Sequence, residues 1–200
     1  MFITENFLNY YLKTSVNLRE LSLNLNSSGI INSIKDDAIY VADVGQNQIW
    51  SCAYHIVKNG RFLTSGGMGT MGYSIPAAMG AKMAAPSKQV VAVIGDGAFQ
   101  MSMMELATMR QYGVNIKIVV MKNGFLGMVR EHQHYAYADH YSMVELKGDP
   151  DLSLIAAAYG MGYLKVDGRS NLDDKLSEFL ADDTSCLMEV MVDPMELVKY

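Results

Sequence analysis

Val90-Val91-Ala92-Val93-Ile94-Gly95-Asp96-Gly97 and, with its asparagine twenty-seven positions after that aspartate, Ile116-Lys117-Ile118-Val119-Val120-Met121-Lys122-Asn123 decide the fold of this chain. Each is a short, mostly β-branched run closed by a polar residue, the pattern of a strand buried on both faces. A helix-like stretch separates them. Two parallel strands joined by one crossover helix bring Asp96 and Asn123 to the same edge of a sheet. There a carboxylate and an amide oxygen can share one hard cation, with glycine-opened backbone nearby to accept a phosphate. The same two residues read equally well as a strand-end Asp-Gly turn and an Asn turn, so the pair alone leaves both readings open.

Outward from this unit the pattern repeats. Positions 38–44 read as a buried strand, 46–57 as a helix, 73–84 as a helix, 89–94 as a strand, 102–112 as a helix and 115–121 as a strand. Helix is expected again near 127–134. Asp149-Pro150-Asp151 opens a helix over 151–159 with an acidic cap. A short strand at 163–166, a helix at 171–180 and a strand at 186–192 complete the series. Strands alternating with helices predict an α/β domain of three layers, a mostly parallel sheet with helices on both faces. Residues 1–36, rich in Leu, Asn and Ser with weak periodicity, read as an N-terminal leader or linker holding one or two helices, and 37–200 as the domain.

Composition excludes several function classes. The 200 residues are 50% hydrophobic and 18% charged, enough to bury a sizeable core. A net charge of −5 without a basic run argues against a nucleic-acid partner. No apolar stretch is long enough to span a bilayer, and Met1-Phe2-Ile3-Thr4-Glu5-Asn6 does not open a secretory signal. Cys52 and Cys186 belong to no C-x-x-C and read as reduced core cysteines of a cytoplasmic protein. The sixteen methionines read as core filler.

Two rival motifs are present. Gly67-Met68-Gly69-Thr70-Met71-Gly72 spells G-x-G-x-x-G before a helix, with an acid, Asp96, ending the next strand. A dinucleotide fingerprint needs a buried strand just upstream, and Asn59-Gly60-Arg61-Phe62-Leu63-Thr64-Ser65 is short and polar. Gly97-Ala98-Phe99 also reads as a second backbone-exposing turn that a ribose-binding acid does not require. Glu131-His132-Gln133-His134-Tyr135 with His140 suggests zinc, but no cysteine is near, and solvated or interface histidines are the commoner reading.

Gly95-Asp96-Gly97 followed by Asn123 resembles the thiamine diphosphate (ThDP) signature of the diphosphate-binding module. Val44-Gly45-Gln46-Asn47-Gln48-Ile49-Trp50, Thr64-Ser65-Gly66-Gly67-Met68-Gly69-Thr70-Met71-Gly72-Tyr73 and Gly127-Met128-Val129 narrow the resemblance. In this order they are similar to the C-terminal domain of acetolactate synthase large subunits, over about 38–192 and for one of that family's three domains. The resemblance implies that Asp96, Asn123 and the backbone carbonyl of Phe125 coordinate Mg²⁺, with two diphosphate oxygens and a water completing its octahedron. It places Ala98 and Phe99 at a helix start where free N–H groups receive the diphosphate, and Gln46 and Asn47 at a second such start. It brings Gly69 and Met71 to the aminopyrimidine, where Met71 supports the bent cofactor; without the resemblance, Met71 reads as plain core. Gly95, Gly97, Leu126, Gly127 and Met128 complete the implied cofactor set, and the glycines allow backbone to approach the ring.

The implied activity is decarboxylation and carboligation of 2-oxo acids, pyruvate to acetolactate, as in branched-chain amino acid biosynthesis. The implied partners are a pyrimidine-binding domain or subunit, which carries the activating glutamate, and further copies in a homo-oligomer. FAD is implied only for the full-length family enzyme. No catalytic residue is expected in this chain, and Glu105 reads as an exposed or interface helical residue. Two departures stand out. His132 occupies the position of a tryptophan in many anabolic members, which leaves the second substrate open. Lys122 replaces the first residue of an Asn-Asn pair, while the ligand position, Asn123, is kept. The alternatives are a β-type subunit of a split ThDP-dependent 2-oxo acid decarboxylase, or a non-catalytic cofactor-binding fragment. A ferredoxin oxidoreductase β-like subunit is disfavoured because iron–sulfur ligation needs clustered cysteines.

Overall fold

A computed structural model describes residues 29–54, 58–167 and 171–198. Six strands, β1 (Ile39–Ala42), β2 (Arg61–Thr64), β3 (Val90–Gly95), β4 (Lys117–Lys122), β5 (Gly162–Val166) and β6 (Cys186–Met191), form one sheet in the order β2-β1-β3-β4-β6-β5. Every pairing is parallel. The strands β3, β4 and β6 are buried along nearly their whole length, so both faces are covered and the runs are continuously apolar rather than alternating.

The helices are α1 (Gln46–Tyr54), α2 (Ser74–Ala84), α3 (Asp96–Ser102), α4 (Glu105–Tyr112), α5 (Gly127–Ala136), α6 (Leu152–Ala158) and α7 (Leu172–Leu180). On one face Tyr40, Val91, Val93, Val119 and Met188 pack with Trp50 of α1 and Leu176 and Phe179 of α7. On the other, Val41, Ala92, Ile94, Ile118 and Leu187 pack with Ile75, Phe99, Leu106 and Ala156 of α2, α3, α4 and α6. Ile30, in a helical turn over 29–33, is buried in the first cluster. It lies N-terminal to the boundary that the sequence reading draws after residue 36. The other leader helices expected from sequence, and the end of the helix expected over 46–57, lie outside the described residues.

Two expectations require correction. The segment at 59–65 contains a strand: β2 pairs with β1 from Ile39↔Arg61 to Ala42↔Thr64. It is an edge strand with Arg61 exposed, which is why no buried run marks it. Gly97-Ala98-Phe99 is also not a turn. Helix starts at Asp96 directly after β3, and a short break at 103–104 separates it from α4. The Asp151 cap forms as expected, its carboxylate accepting from Ser153 N (2.9 Å) and Leu154 N (3.3 Å).

Because β1 lies between β2 and β3, the chain leaves β1 in one direction and returns on its other side. That reversal opens a crevice beyond the carboxyl ends of β1 and β3, the usual ligand position in open parallel sheets. The register Ala42↔Val93 and Gly95↔Met121 brings Asp43, Asp96 and the Lys122–Asn123 step to this edge.

Candidate functional site

A cleft of about 170 Å³ opens at the switch point. Its walls come from the ends of β1, β3 and β4, the loop before α2 and the start of α5. The structure brings Gln46, Asn47, Gly69, Met71, Gly95, Asp96, Gly97, Ala98, Asn123, Phe125, Leu126, Gly127 and Met128 to this one cleft. Phe99 is the exception. Its side chain is fully buried in the core, so only its backbone can serve the site. Val44, Gly45, Met121 and Val129 line the cleft as well, although the sequence reading gave them no site role.

Asp96 is the buried acid of the cleft. Its Oδ2 accepts from Asn123 N (3.1 Å) and Gly124 N (2.7 Å), and its Oδ1 from Gly97 N (2.9 Å). Burial pushes the carboxyl up to about 6, and Asp149 adds to the rise, against the lowering effect of the three amides. Asn123 Oδ1 accepts from Phe125 N (2.9 Å). Counting lone pairs, Asp96 Oδ1 and Asn123 Oδ1 each keep one free site. The Phe125 carbonyl accepts no hydrogen bond among the described residues. Asp96, Asn123 and Phe125 line the same cleft, and each carries an oxygen of the kind a hard cation prefers.

An antiparallel bridge pairs Phe125 with Glu145, through Leu126 N to Val144 O and Leu146 N to Gly124 O (both 2.8 Å), and fixes this turn. At the other end Gln46 Nε2 donates to Glu131 Oε2 (2.8 Å) and Glu196 O (3.0 Å), while Gln46 Oε1 is buried without a partner. Met71 is half-buried at the cleft wall, its tip close to where a Gly97 side chain would begin.

Neither rival reading fits the geometry, although Gly69 and Met71 of the G-x-G-x-x-G run line the cleft. The N-terminus of α2, where a dinucleotide fingerprint would hold a pyrophosphate, is occupied by Asp43. Its carboxylate accepts from Gly72 N (2.9 Å) and Ser74 N (2.7 Å). The upstream strand is present, so this carboxylate, not a missing strand, blocks the dinucleotide arrangement. Among the described residues no three His, Cys, Asp or Glu side chains are placed to hold a metal. His134 pairs with Asp139, and His132 is exposed and edge-on to Tyr137. Sequence reasoning missed Asp43, though like Asp96 it is an acid that directly follows a buried strand end.

A parallel sheet with a glycine-lined, oxygen-bearing cleft at its switch point defines an α/β domain built to hold a phosphorylated cofactor. Comparison with known proteins names the cofactor class. The sequence model of the thiamine pyrophosphate enzyme C-terminal TPP binding domain matches residues 43–190, and the chain belongs to that family. It is similar to the acetolactate synthase large subunit of Lactococcus lactis, 45% identical over 163 residues, which is 81% of this chain and 28% of that protein. Similar relatives are the probable large subunit of Methanocaldococcus jannaschii (38%; 83% and 28%) and the mitochondrial acetolactate synthase of Schizosaccharomyces pombe (40%; 84% and 25%). The chain spans about a quarter of the length of these curated relatives.

Proposed function

We propose that this chain binds ThDP through Mg²⁺ and serves an acetolactate synthase-like enzyme acting on 2-oxo acids. The observation that carries the reading is the buried Asp96 carboxylate in a cleft that Asn123 and Phe125 also line. Mg²⁺ accepts such a set readily, since it binds through few protein oxygens and takes the rest from phosphates and water.

In this reading the amides of Ala98 and Phe99, in the first turn of α3, and the Gln46–Asn47 start of α1 receive the diphosphate. Gly69 and Met71 meet the aminopyrimidine, and Leu126, Gly127 and Met128 form the facing wall. Gly95 and Gly97 let backbone and cofactor approach closely. ThDP, when bound, supplies a carbon nucleophile and an electron sink for decarboxylation. The chain's own part is to position it and keep water from one side. Glu105 accepts from its neighbour Thr108 one turn on, in keeping with a helical surface role. The carboxylate that activates the aminopyrimidine is assigned to a pyrimidine-binding domain or subunit. Further copies of the chain complete a homo-oligomer. FAD belongs only to a longer assembly. Among the described residues no helix is long and apolar enough to cross a membrane; Cys186 is buried but Cys52 is exposed on α1 rather than in the core, and both are unpaired. The cysteines support a reducing, cytoplasmic compartment.

The test is pyruvate turnover by the purified chain with ThDP and Mg²⁺, with and without an added pyrimidine-binding domain. Acetolactate should form only with the added domain. Loss of a general acid–base contact alone costs about 10²–10⁴-fold in rate. Robust synthesis by the chain alone would contradict the placement of the activating group, and carbon dioxide release without acetolactate would favour a split decarboxylase.

A further inference from the structure

Asp43 follows β1 with no exposed surface, and the cofactor reading gives it no task. One end of the residue is fixed to the sheet. Its amide donates to Val93 O (2.8 Å), and its carbonyl accepts from Asn47 Nδ2 (3.0 Å). The other end reaches across to the loop before α2. Oδ1 accepts from Val44 N (2.8 Å) and Gly72 N (2.9 Å), and Oδ2 accepts from Ser74 N (2.7 Å). Tyr73, the residue that precedes α2, provides no side-chain cap, so Asp43 caps this helix from a different strand.

The loop that carries Gly69 and Met71 has few other anchors. Gly69 N bonds Ser65 O (3.2 Å) and Thr70 N bonds Ser65 Oγ (3.1 Å), both within the loop itself. Met71 and Tyr73 also pack against the second core cluster, while the hydrogen bonds that tie this loop to the end of β1 run to Asp43. We infer that Asp43 is a positioning residue for the ring end of the cofactor, holding Gly69 and Met71 against the aminopyrimidine while touching neither ring nor diphosphate. The inference rests on the ThDP reading above and deepens it.

An amide in place of this carboxylate keeps one acceptor oxygen where two are used, and turns an N–H₂ toward an N–H. Hydrogen bonds to charged groups are strong enough that ThDP affinity in Asp43→Asn should fall at least about tenfold. Inorganic pyrophosphate with Mg²⁺ engages only the diphosphate end, and its affinity should stay within about twofold of the parent's. The experiment is calorimetric titration of parent and Asp43→Asn with each ligand in Mg²⁺. A selective loss of ThDP affinity supports the inference. Equal losses for both ligands, or none for either, overturn it alone. Failure of the parent to bind either ligand overturns the ThDP reading and this inference with it. If Asp43→Asn does not fold, hydrogen exchange on the parent chain decides. The Gly72 and Ser74 amides should exchange at least about tenfold more slowly than that of Met71, which has no hydrogen-bond acceptor among the described residues. Equal exchange overturns the inference.

Discussion

A Cβ at Gly127 would lie 2.2 Å from Gln46 Oε1 and 2.9 Å from Asn123 Nδ2, so neither side chain could keep its place beside an alanine. Gly127→Ala should fold, with an overpacking cost of about 1–3 kcal/mol in chemical denaturation. It should weaken ThDP binding at least about tenfold, because both displaced amides line the cleft proposed to hold the cofactor. Asp96 gives a pH signature in metal-free chain. Its folded carboxyl titrates near 6, above the ordinary 3.8, so its stabilising contribution is present below 3.8 and lost as pH rises through about 6. Relative to Asp96→Ala, the parent in chelator should therefore lose up to about 3 kcal/mol between about pH 4 and pH 7.5. Denaturation at both pH values checks the sign, and a parent that gains on the variant as pH rises would contradict it. Asp96 and Asn123 were legible because each closes an apolar run. Asp43 closes one too, but its acceptors' partners, Gly72 and Ser74, lie about thirty residues on in a loop without periodicity, so its task was not.

Among the elements, the buried strands β3, β4 and β6 announced themselves by composition. The edge strand β2 did not, since four residues with an exposed arginine carry no such run. The start of α3, which the family resemblance placed at Ala98 and Phe99, was not legible from local pattern alone. Gly95-Asp96-Gly97 favours a turn locally, and burial of Phe99 beneath the sheet edge holds it in a helix. Gly113 was read within a helix-to-strand connection, and it stands at φ +61 past the end of α4, with its amide bonded back to Met109 and Arg110. Its Cβ position is open space, so Gly113→Ala should lose about 1–2 kcal/mol through backbone conformation alone and leave ThDP affinity unchanged. The segment from α5 to His140 was read only through its histidines. In it and just beyond, Ala138, Asp139 and Met143 adopt positive φ, which no residue type there signals. Gln133 clasps it, its side chain donating to Ser142 O (3.0 Å) and accepting from Ser142 N (2.9 Å). Gln133→Ala should speed proteolytic nicking between 137 and 143 several-fold with the melting temperature nearly unchanged.

At the scale of the molecule, several methionines stand exposed on the described surface. Met68 is 90% exposed on the loop before α2, and Met101 and Met104 are exposed near the end of α3, which Gly72 closely approaches. Exposed flexible apolar side chains suit a surface that another copy of the chain covers. The purified chain should thus self-associate in sedimentation velocity as concentration rises, and Met68→Lys with Met101→Lys should shift it toward monomer. An unchanged distribution would assign those methionines no interface role. Nothing in the sequence pattern alone distinguished these methionines from core ones; only packing did. The central claim is that the cleft holds ThDP through a metal bound at Asp96, and calorimetric titration of ThDP tests it most directly. The parent chain should bind in Mg²⁺ and lose binding in chelator, and Asp96→Ala should bind at least about a hundredfold more weakly in Mg²⁺ while keeping its fold. Equal affinity of parent and Asp96→Ala in Mg²⁺ would contradict the account.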